Sequence, residues 1–207
     1  MSHPAPPASV ADQFEKLISR EGYPVYRWKV GGKEPDGKPT RIGAMTFETR
    51  IVRDVVLNHT DGRVLNACAG ETKLSNYKRG CEFVRNDINE DRDAEYHYDV
   101  RILDWMLADE WGGFDTVIFD PPFDPGRAAK LYEGWHASEY TATRKALGNL
   151  VAPGGVMIEL GWNTYGIGDA DGWERVVWYD YPQAPFKGDV HLTVDRKINQ
   201  ATLGDLP

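Results

Sequence analysis

Cysteine is scarce in this chain of 207 residues: only Cys68 and Cys81 occur, in neither a metal-ligand spacing nor a disulfide framework. No apolar run approaches the roughly 18 residues needed to span a bilayer. The opening stretch, residues 1–9, has no charged segment leading into an apolar one, so a secretory leader is not expected. Together these absences set a reduced, cytoplasmic compartment as the expectation. Positive charge is short as well. Lys and Arg number 24 against 32 Asp and Glu, a formal charge of -8. That balance argues against tight non-specific binding of duplex nucleic acid through a broad basic face, and leaves room for an enzyme that meets nucleic acid at one local patch. His97, His136 and His191 are scattered without ligand spacing, so no metal site is expected. No Ser-His-Asp set, phosphate-cradling Gly-Lys loop or internal repeat is visible.

What is present belongs to a folded protein. Hydrophobic residues make up 41% and aromatics 12%, with seven Trp, which excludes a disordered chain. The length fits one domain. We expect a flexible, proline-rich tail over 1–9, a helical and basic-loop extension over 10–60, a core over 61–162 and a β-hairpin over 163–207. Val10, Phe14, Leu17 and Ile18 recur at spacings of three and four and predict a short amphipathic helix over 10–20. The stretch 23–41 is broken by Gly and Pro and reverses the local sign of charge. There Arg27, Lys29, Lys33, Lys38 and Arg41 outnumber Glu34 and Asp36, with Tyr26 and Trp28 interleaved. Cations attract phosphates and aromatic faces stack on bases, so this reads either as a substrate-facing loop, with Arg27 and Lys29 as candidate contacts, or as a solvated surface hairpin.

From residue 46 onward helix and strand alternate. Helices are predicted over 46–58, 71–79, 101–111 and 125–151, the last broken near Trp135. Strands are predicted over 63–68, 82–86, 95–98, 115–119 and 155–160. Asp61-Gly62 makes a turn, Asp124-Pro125 reads as a helix start, and Pro153-Gly154-Gly155 as a helix stop. Such alternation implies an α/β fold with a doubly wound, mainly parallel sheet of seven strands. The β-rich runs 174–180 and 189–195 then predict an antiparallel edge hairpin. Other doubly wound folds with an edge hairpin fit the same pattern.

In such sheets ligands bind beyond the carboxyl ends of the strands, and those ends carry the polar stations. The first strand ends in a small-residue turn, Asn66-Ala67-Cys68-Ala69-Gly70-Glu71, which lets backbone approach a ligand. The second ends at Asp87-Ile88, an acid at the offset that accepts ribose hydroxyls, or else an ordinary solvated residue. The third ends at Asp99-Val100, an acceptor for an adenine amine or a cap for the next helix. The fourth ends in Asp120-Pro121-Pro122-Phe123, where proline forces the chain out of the sheet and leaves a carboxylate, free carbonyls and a ring. The fifth ends in Gly161-Trp162-Asn163, an aromatic and an amide.

In the small turn, Asp87, Asp99 and above all Asp-Pro-Pro-Phe, the stretch 63–162 resembles the class I S-adenosylmethionine-dependent amino-methyltransferases. It looks closest to small phage and prokaryotic N6-adenine DNA methylase-like proteins, which also carry a Leu-Asn-x-x-Ala-Gly turn and a Gly-Trp-Asn. The resemblance implies S-adenosylmethionine as cofactor, held by Asn66, Ala67, Ala69, Gly70, Asp87, Ile88, Asp99 and Val100. It implies catalysis of methyl transfer by Asp120, Pro121, Pro122 and Phe123, with Phe123, Trp162 and Asn163 facing a base, and nucleic acid as partner, DNA before RNA. The chain departs from the family's turn, having Asn66 for an acid, Cys68 for an aromatic and Thr72 for a second glycine. No segment is long enough for an added recognition domain. Target choice therefore falls to the 26–41 loop, to 124–145 or to a partner protein. A binding module that keeps the fold without catalysis is the rival expectation.

Overall fold

A computed structural model describes residues 5–29, 42, 46–122, 140–162, 166–168, 170–183 and 188–198. Its frame is an eight-stranded sheet: β1 (Phe14–Ile18), β2 (Pro24–Trp28), β3 (Arg63–Asn66), β4 (Glu82–Arg85), β5 (Phe114–Phe119), β6 (Val151–Gly161), β7 (Trp173–Tyr181) and β8 (Val190–Lys197). Among the described residues three α-helices join it: α1 (Arg50–Asn58), α2 (Leu103–Trp111) and α3 (Tyr140–Leu150). The strand order is β1-β2-β7-β8-β6-β5-β3-β4. Six strands run one way; β8 opposes both its neighbours and β1 opposes β2.

The central strands are apolar because both faces are covered, which is why they read as continuous hydrophobic runs. Val117, Ile118 and Phe119 are fully buried, and they alternate between two clusters. Ile118 joins one cluster with Ile51, Val52, Val55 and Val56 of α1. Val117 and Phe119 join the other with Leu103 and Leu107 of α2 and Leu147 and Leu150 of α3. The spacing of three and four along each helix sets which side chains reach the sheet. At the turn into β3, Gly62 has φ +58°, and a Cβ there would lie 2.1 Å from Asp115 Oδ2. Only glycine fits.

Several expectations are corrected. The sheet has eight strands where seven were expected. Residues 10–20 form no helix: after a 3₁₀ turn at Ala11–Gln13 the chain enters β1, paired residue by residue with β2 from Phe14–Trp28 to Ile18–Pro24. Val10 and Phe14 are buried, but Leu17 and Ile18 are 40% and 64% exposed. A helix of about ten residues is marginal alone, and pairing with β2 satisfies more backbone. The runs 174–180 and 189–195 do form an antiparallel hairpin, yet not at an edge, because β1 and β2 add beyond β7. Residues 71–79 hold only a 3₁₀ turn, Leu74–Asn76, and 95–98 only a bridge between Asn86 and Tyr96. Instead of stopping a helix, Pro153-Gly154-Gly155 lies within β6. The expected tail packs against α1 over residues 5–9: Asn58 Nδ2 donates to Ala5 O (3.0 Å) and Ser9 Oγ to Asp54 (3.1 Å). Asp124-Pro125, Trp135 and His136 lie outside the described residues.

Candidate functional site

The carboxyl ends of β3, β4 and β5 lie side by side, since these strands are parallel neighbours with Asn66 beside both Arg85 and Ile118. The segments that follow them, 66–71, 86–89 and 120–122, therefore meet at one rim. Cys68 reports the convergence. Burial pushes its thiol well above the ordinary range, and the nearby carboxylates of Asp87, Asp120 and Asp99 push it further. The small turn thus lies within electrostatic reach of three of the acidic stations read from the sequence.

The turn itself is held from β4. Ala69 N donates to Asn86 O and Asn86 N to Asn66 O, each at 2.9 Å. Asn86 Nδ2 donates to Ala67 O (3.0 Å) and to Tyr98 O (3.0 Å), while its Oδ1 accepts from Tyr98 N (2.9 Å). Asp87, only 3% exposed, accepts from Gly70 N (2.8 Å) and from Asn89 N (3.0 Å). Arg85 Nη2 donates to Gly70 O (2.9 Å), and Nη1 donates to Asp93 O. Two ion pairs tie the next residues to the loop after β4: Arg92 with Glu71, and Lys73 with Asp93.

Gly70 takes φ +56°, the left-handed region where a side chain is strained, and a Cβ there would meet nothing within 4 Å. Open space therefore flanks the turn. Beside it, Asn66 is 1% exposed and its Oδ1 has no hydrogen-bond partner. A buried acceptor left without a donor costs about 1–3 kcal/mol, which is explicable where a ligand supplies the donor. An orphaned acceptor, open space and nearby acids make this rim a candidate ligand site.

The remaining expectations distribute unevenly. Asp99 caps the 3₁₀ turn Val100–Ile102 by accepting from Arg101 N (2.9 Å), and both its oxygens lie 3.0 Å from Arg101 Nε. That guanidinium is the main reason its carboxyl titrates below the usual carboxylate range. Ile88, Val100 and Asp120 are half-buried and Pro121 is buried. Trp162 packs against the α1-side cluster at the end of β6. Phe123 and Asn163 lie outside the described residues.

The aromatic residues of the basic segment are not base-stacking platforms. Tyr26 and Trp28 are 7% and 4% exposed; Tyr26 stacks on Tyr179 and Trp28 sets its ring against Tyr181. Their alternation is simply the inward face of β2. Arg27 pairs with Asp180 (3.2 Å), and Lys29 Nζ donates to Asp12 O (2.9 Å). Both stand at the same sheet edge as Asp120, but four strands away, roughly 19 Å at the usual interstrand spacing.

Three residues near the rim carry no role in the sequence reading: Arg85, Asn86 and Glu159. Arg85 and Asn86 looked like ordinary strand residues, and no local signal marks them. Glu159 had a signal: an acid inside Val156-Met-Ile-Glu-Leu160 must be paired if that strand is buried. It is 1% exposed and holds Arg144 of α3 through two bonds, 2.8 and 2.6 Å. Arg144 lies over Tyr140 (5.5 Å), whose ring meets Phe119 edge-on (6.4 Å), one residue before Asp120. A cavity of about 400 Å³ is lined by Arg144, Lys145 and Gly148 of α3 with Trp173 and Lys197. Among the described residues no three His, Cys, Asp or Glu side chains gather in a metal-holding arrangement, and no helix is long and apolar enough to cross a membrane.

No family model and no curated protein matches the chain. Solved structures do. TrmN from Thermus thermophilus superposes with a TM-score of 0.53 at 15% identity, over 75% of this chain and 50% of that one. A Streptococcus mutans protein assigned as a SAM-dependent methyltransferase gives 0.53 at 12% identity, over 89% and 55%. SMU.776, assigned as a methyltransferase and solved complexed with SAH, gives 0.55 at 12% identity, over 90% and 56%. The chain spans about half the length of these structures. At such identities the likeness establishes the fold, a mixed, mostly parallel α/β sheet of the class I methyltransferase type.

Proposed function

We propose that the protein is an S-adenosylmethionine-dependent N-methyltransferase acting on the exocyclic amine of a nucleic-acid base. Adenine N6 in DNA is the first target, and a base amine in RNA the second. The observation that carries this reading is that the segments after β3, β4 and β5 meet at one rim, with Asp87 bonded to the turn at Gly70 and open space beside that glycine. The solved neighbour holding SAH supports the choice of cofactor. In this reading Asn66, Ala67, Ala69 and Gly70 hold the amino-acid part, Asp87 and Ile88 the ribose, and Asp99 and Val100 the adenine.

When bound, the cofactor supplies an electrophilic methyl group on its sulfonium. The protein's part is to prepare the amine. A base amine is a weak nucleophile because its lone pair is delocalised into the ring. The Asp120 carboxylate and the Pro121 carbonyl each accept one of its hydrogens, which draws the nitrogen toward tetrahedral geometry and aims the lone pair. With the cofactor bound, this arrangement would present the amine's lone pair to the sulfonium methyl, and the Asp120 carboxylate would receive the proton that the amine gives up. Orientation and electrostatics suffice, without a covalent enzyme intermediate. Phe123 stacks on the base, a contact worth about 1–3 kcal/mol, and Trp162 or Trp135 helps to hold it. A duplex substrate must first release that base at a cost of a few kcal/mol.

A second reading is a nucleic-acid-binding module that keeps the fold without transfer. What favours it is that Asp99 is engaged by Arg101 and Asp87 by Gly70 and Asn89. Incubation with tritiated cofactor and either DNA or RNA, followed by digestion to nucleosides, separates the readings. Label in a base amine supports transfer and names the polymer. Cofactor and nucleic-acid binding without label supports the second reading.

A further inference from the structure

The turn after β3 lacks two devices that ordinarily shape a phosphate- or nucleoside-binding turn. It has one glycine, Gly70, and no α-helix follows it, only the 3₁₀ turn Leu74–Asn76. A helix N-terminus would otherwise supply oriented N–H groups and a favourable dipole. A free turn of this kind would have to be ordered by its ligand, and that ordering subtracts from affinity.

The structure supplies the order from elsewhere. Three consecutive residues at the end of β4 grip the turn at Ala67 and Gly70. Arg85 holds Gly70 O (2.9 Å), Asn86 holds Ala67 O (3.0 Å) and Asp87 holds Gly70 N (2.8 Å). Both polar groups of the Gly70 peptide backbone are therefore fixed by side chains of one neighbouring strand. The gripping residues are themselves buried, at 7%, 0% and 3% exposure. Their own partners are set: Arg85 by Asp93 O, Asn86 by both polar groups of Tyr98, Asp87 by Asn89 N. The Lys73–Asp93 and Arg92–Glu71 pairs extend the same fastening past the turn.

We infer that Arg85 and Asn86, with Asp87, are positioning residues that preform the turn for the cofactor, replacing the second glycine and the helix it lacks. Cofactor affinity then depends on two side chains, Arg85 and Asn86, that need not touch the cofactor. This rests on the cofactor reading proposed above.

The test is calorimetric titration of S-adenosylhomocysteine into the full chain, paired with hydrogen exchange of the 67–72 amides in the ligand-free protein. Arg85→Met is expected to weaken binding about tenfold, the equivalent of losing one hydrogen bond to a charged group. It is also expected to speed exchange at Gly70, with Arg85→Lys recovering part of both losses. A purely structural role for Arg85 would lower the melting temperature without changing exchange at Gly70 below the transition. Should Arg85→Met fail to fold, Lys73→Met removes an exposed fastening, and is expected to speed exchange at 71 and 72 and weaken binding two- to threefold. Wild-type binding with unchanged affinity and exchange in the folded variants overturns the inference alone. A wild-type chain that binds no S-adenosylhomocysteine overturns the cofactor reading, and this inference with it.

Discussion

Replacing Arg144 by methionine takes a bidentate cationic partner from the buried carboxylate of Glu159. That acid is 1% exposed, between Ile158 and Leu160 on β6, and its two oxygens accept from Arg144 Nε and Nη2 at 2.8 and 2.6 Å. Breaking a buried pair from one side costs about 3–5 kcal/mol, because the remaining charge loses its main compensation. The Arg144 side chain is 20% exposed, so water reaches part of the pair; the lower end, about 3 kcal/mol, is the better figure. For a domain of this size that lowers the melting temperature by roughly 6–12 °C. Replacing both partners, Arg144→Met with Glu159→Leu, removes the charge and is expected to return stability to within about 1 kcal/mol of wild type. Urea denaturation of the wild type, both single variants and the double variant completes the cycle. Additive single effects, or an Arg144→Met variant within about 1 kcal/mol of wild type, would refute the reasoning. The double variant also asks what the pair is for. Arg144 lies over Tyr140, and Tyr140 meets Phe119 beside Asp120.

Other outcomes are as specific. Burial first, and Lys78 second, hold His59 neutral down to about pH 4, with its Nε2 2.8 Å from Tyr179 Oη. The unfolded chain takes up that proton near pH 6.5, so stability is lost as pH falls from about 6.5 to 4, by about 3 kcal/mol from this group. His59→Gln should flatten that part of the urea-midpoint-versus-pH curve; an unchanged slope sinks the assignment. Gly70→Ala should cost about 1–2 kcal/mol from backbone strain alone. Gly62→Ala should cost visibly more, because its Cβ collides with Asp115; equal urea midpoints would contradict this. Asp120→Ala is expected to abolish methyl transfer while calorimetry still detects cofactor binding, and undiminished transfer would remove Asp120 from its role.

The central strands, though not their order, were legible because buried parallel strands announce themselves. Val64-Leu65, Val117-Ile118-Phe119 and Met157-Ile158 are apolar runs ended by turn residues. The rim could be read from the same punctuation, since the acids Asp87, Asp99 and Asp120 each follow such a run or its equivalent. Residues 10–18 misled because Val10, Phe14, Leu17 and Ile18 satisfy a helical period, whereas pairing with Val25 and Pro24 decided the outcome. Tyr26 and Trp28 misled for a related reason. Period-two alternation of aromatics with Arg27 and Lys29 fits a nucleic-acid surface and a half-buried strand equally, and burial chose the strand. The grip of Arg85 and Asn86 on Gly70 and Ala67 joins residues 15 and 19 positions apart. No local pattern encodes a contact of that span, so only the packed structure discloses it.

Equilibrium dialysis of the full chain against tritiated S-adenosylmethionine tests most directly whether the rim of β3, β4 and β5 is a cofactor site. The prediction is saturable binding of one molecule per chain, displaced by S-adenosylhomocysteine and weakened by Asn66→Ala, which removes the orphaned acceptor without disturbing the strand. Absence of saturable binding, or binding that S-adenosylhomocysteine and Asn66→Ala leave unchanged, would contradict it.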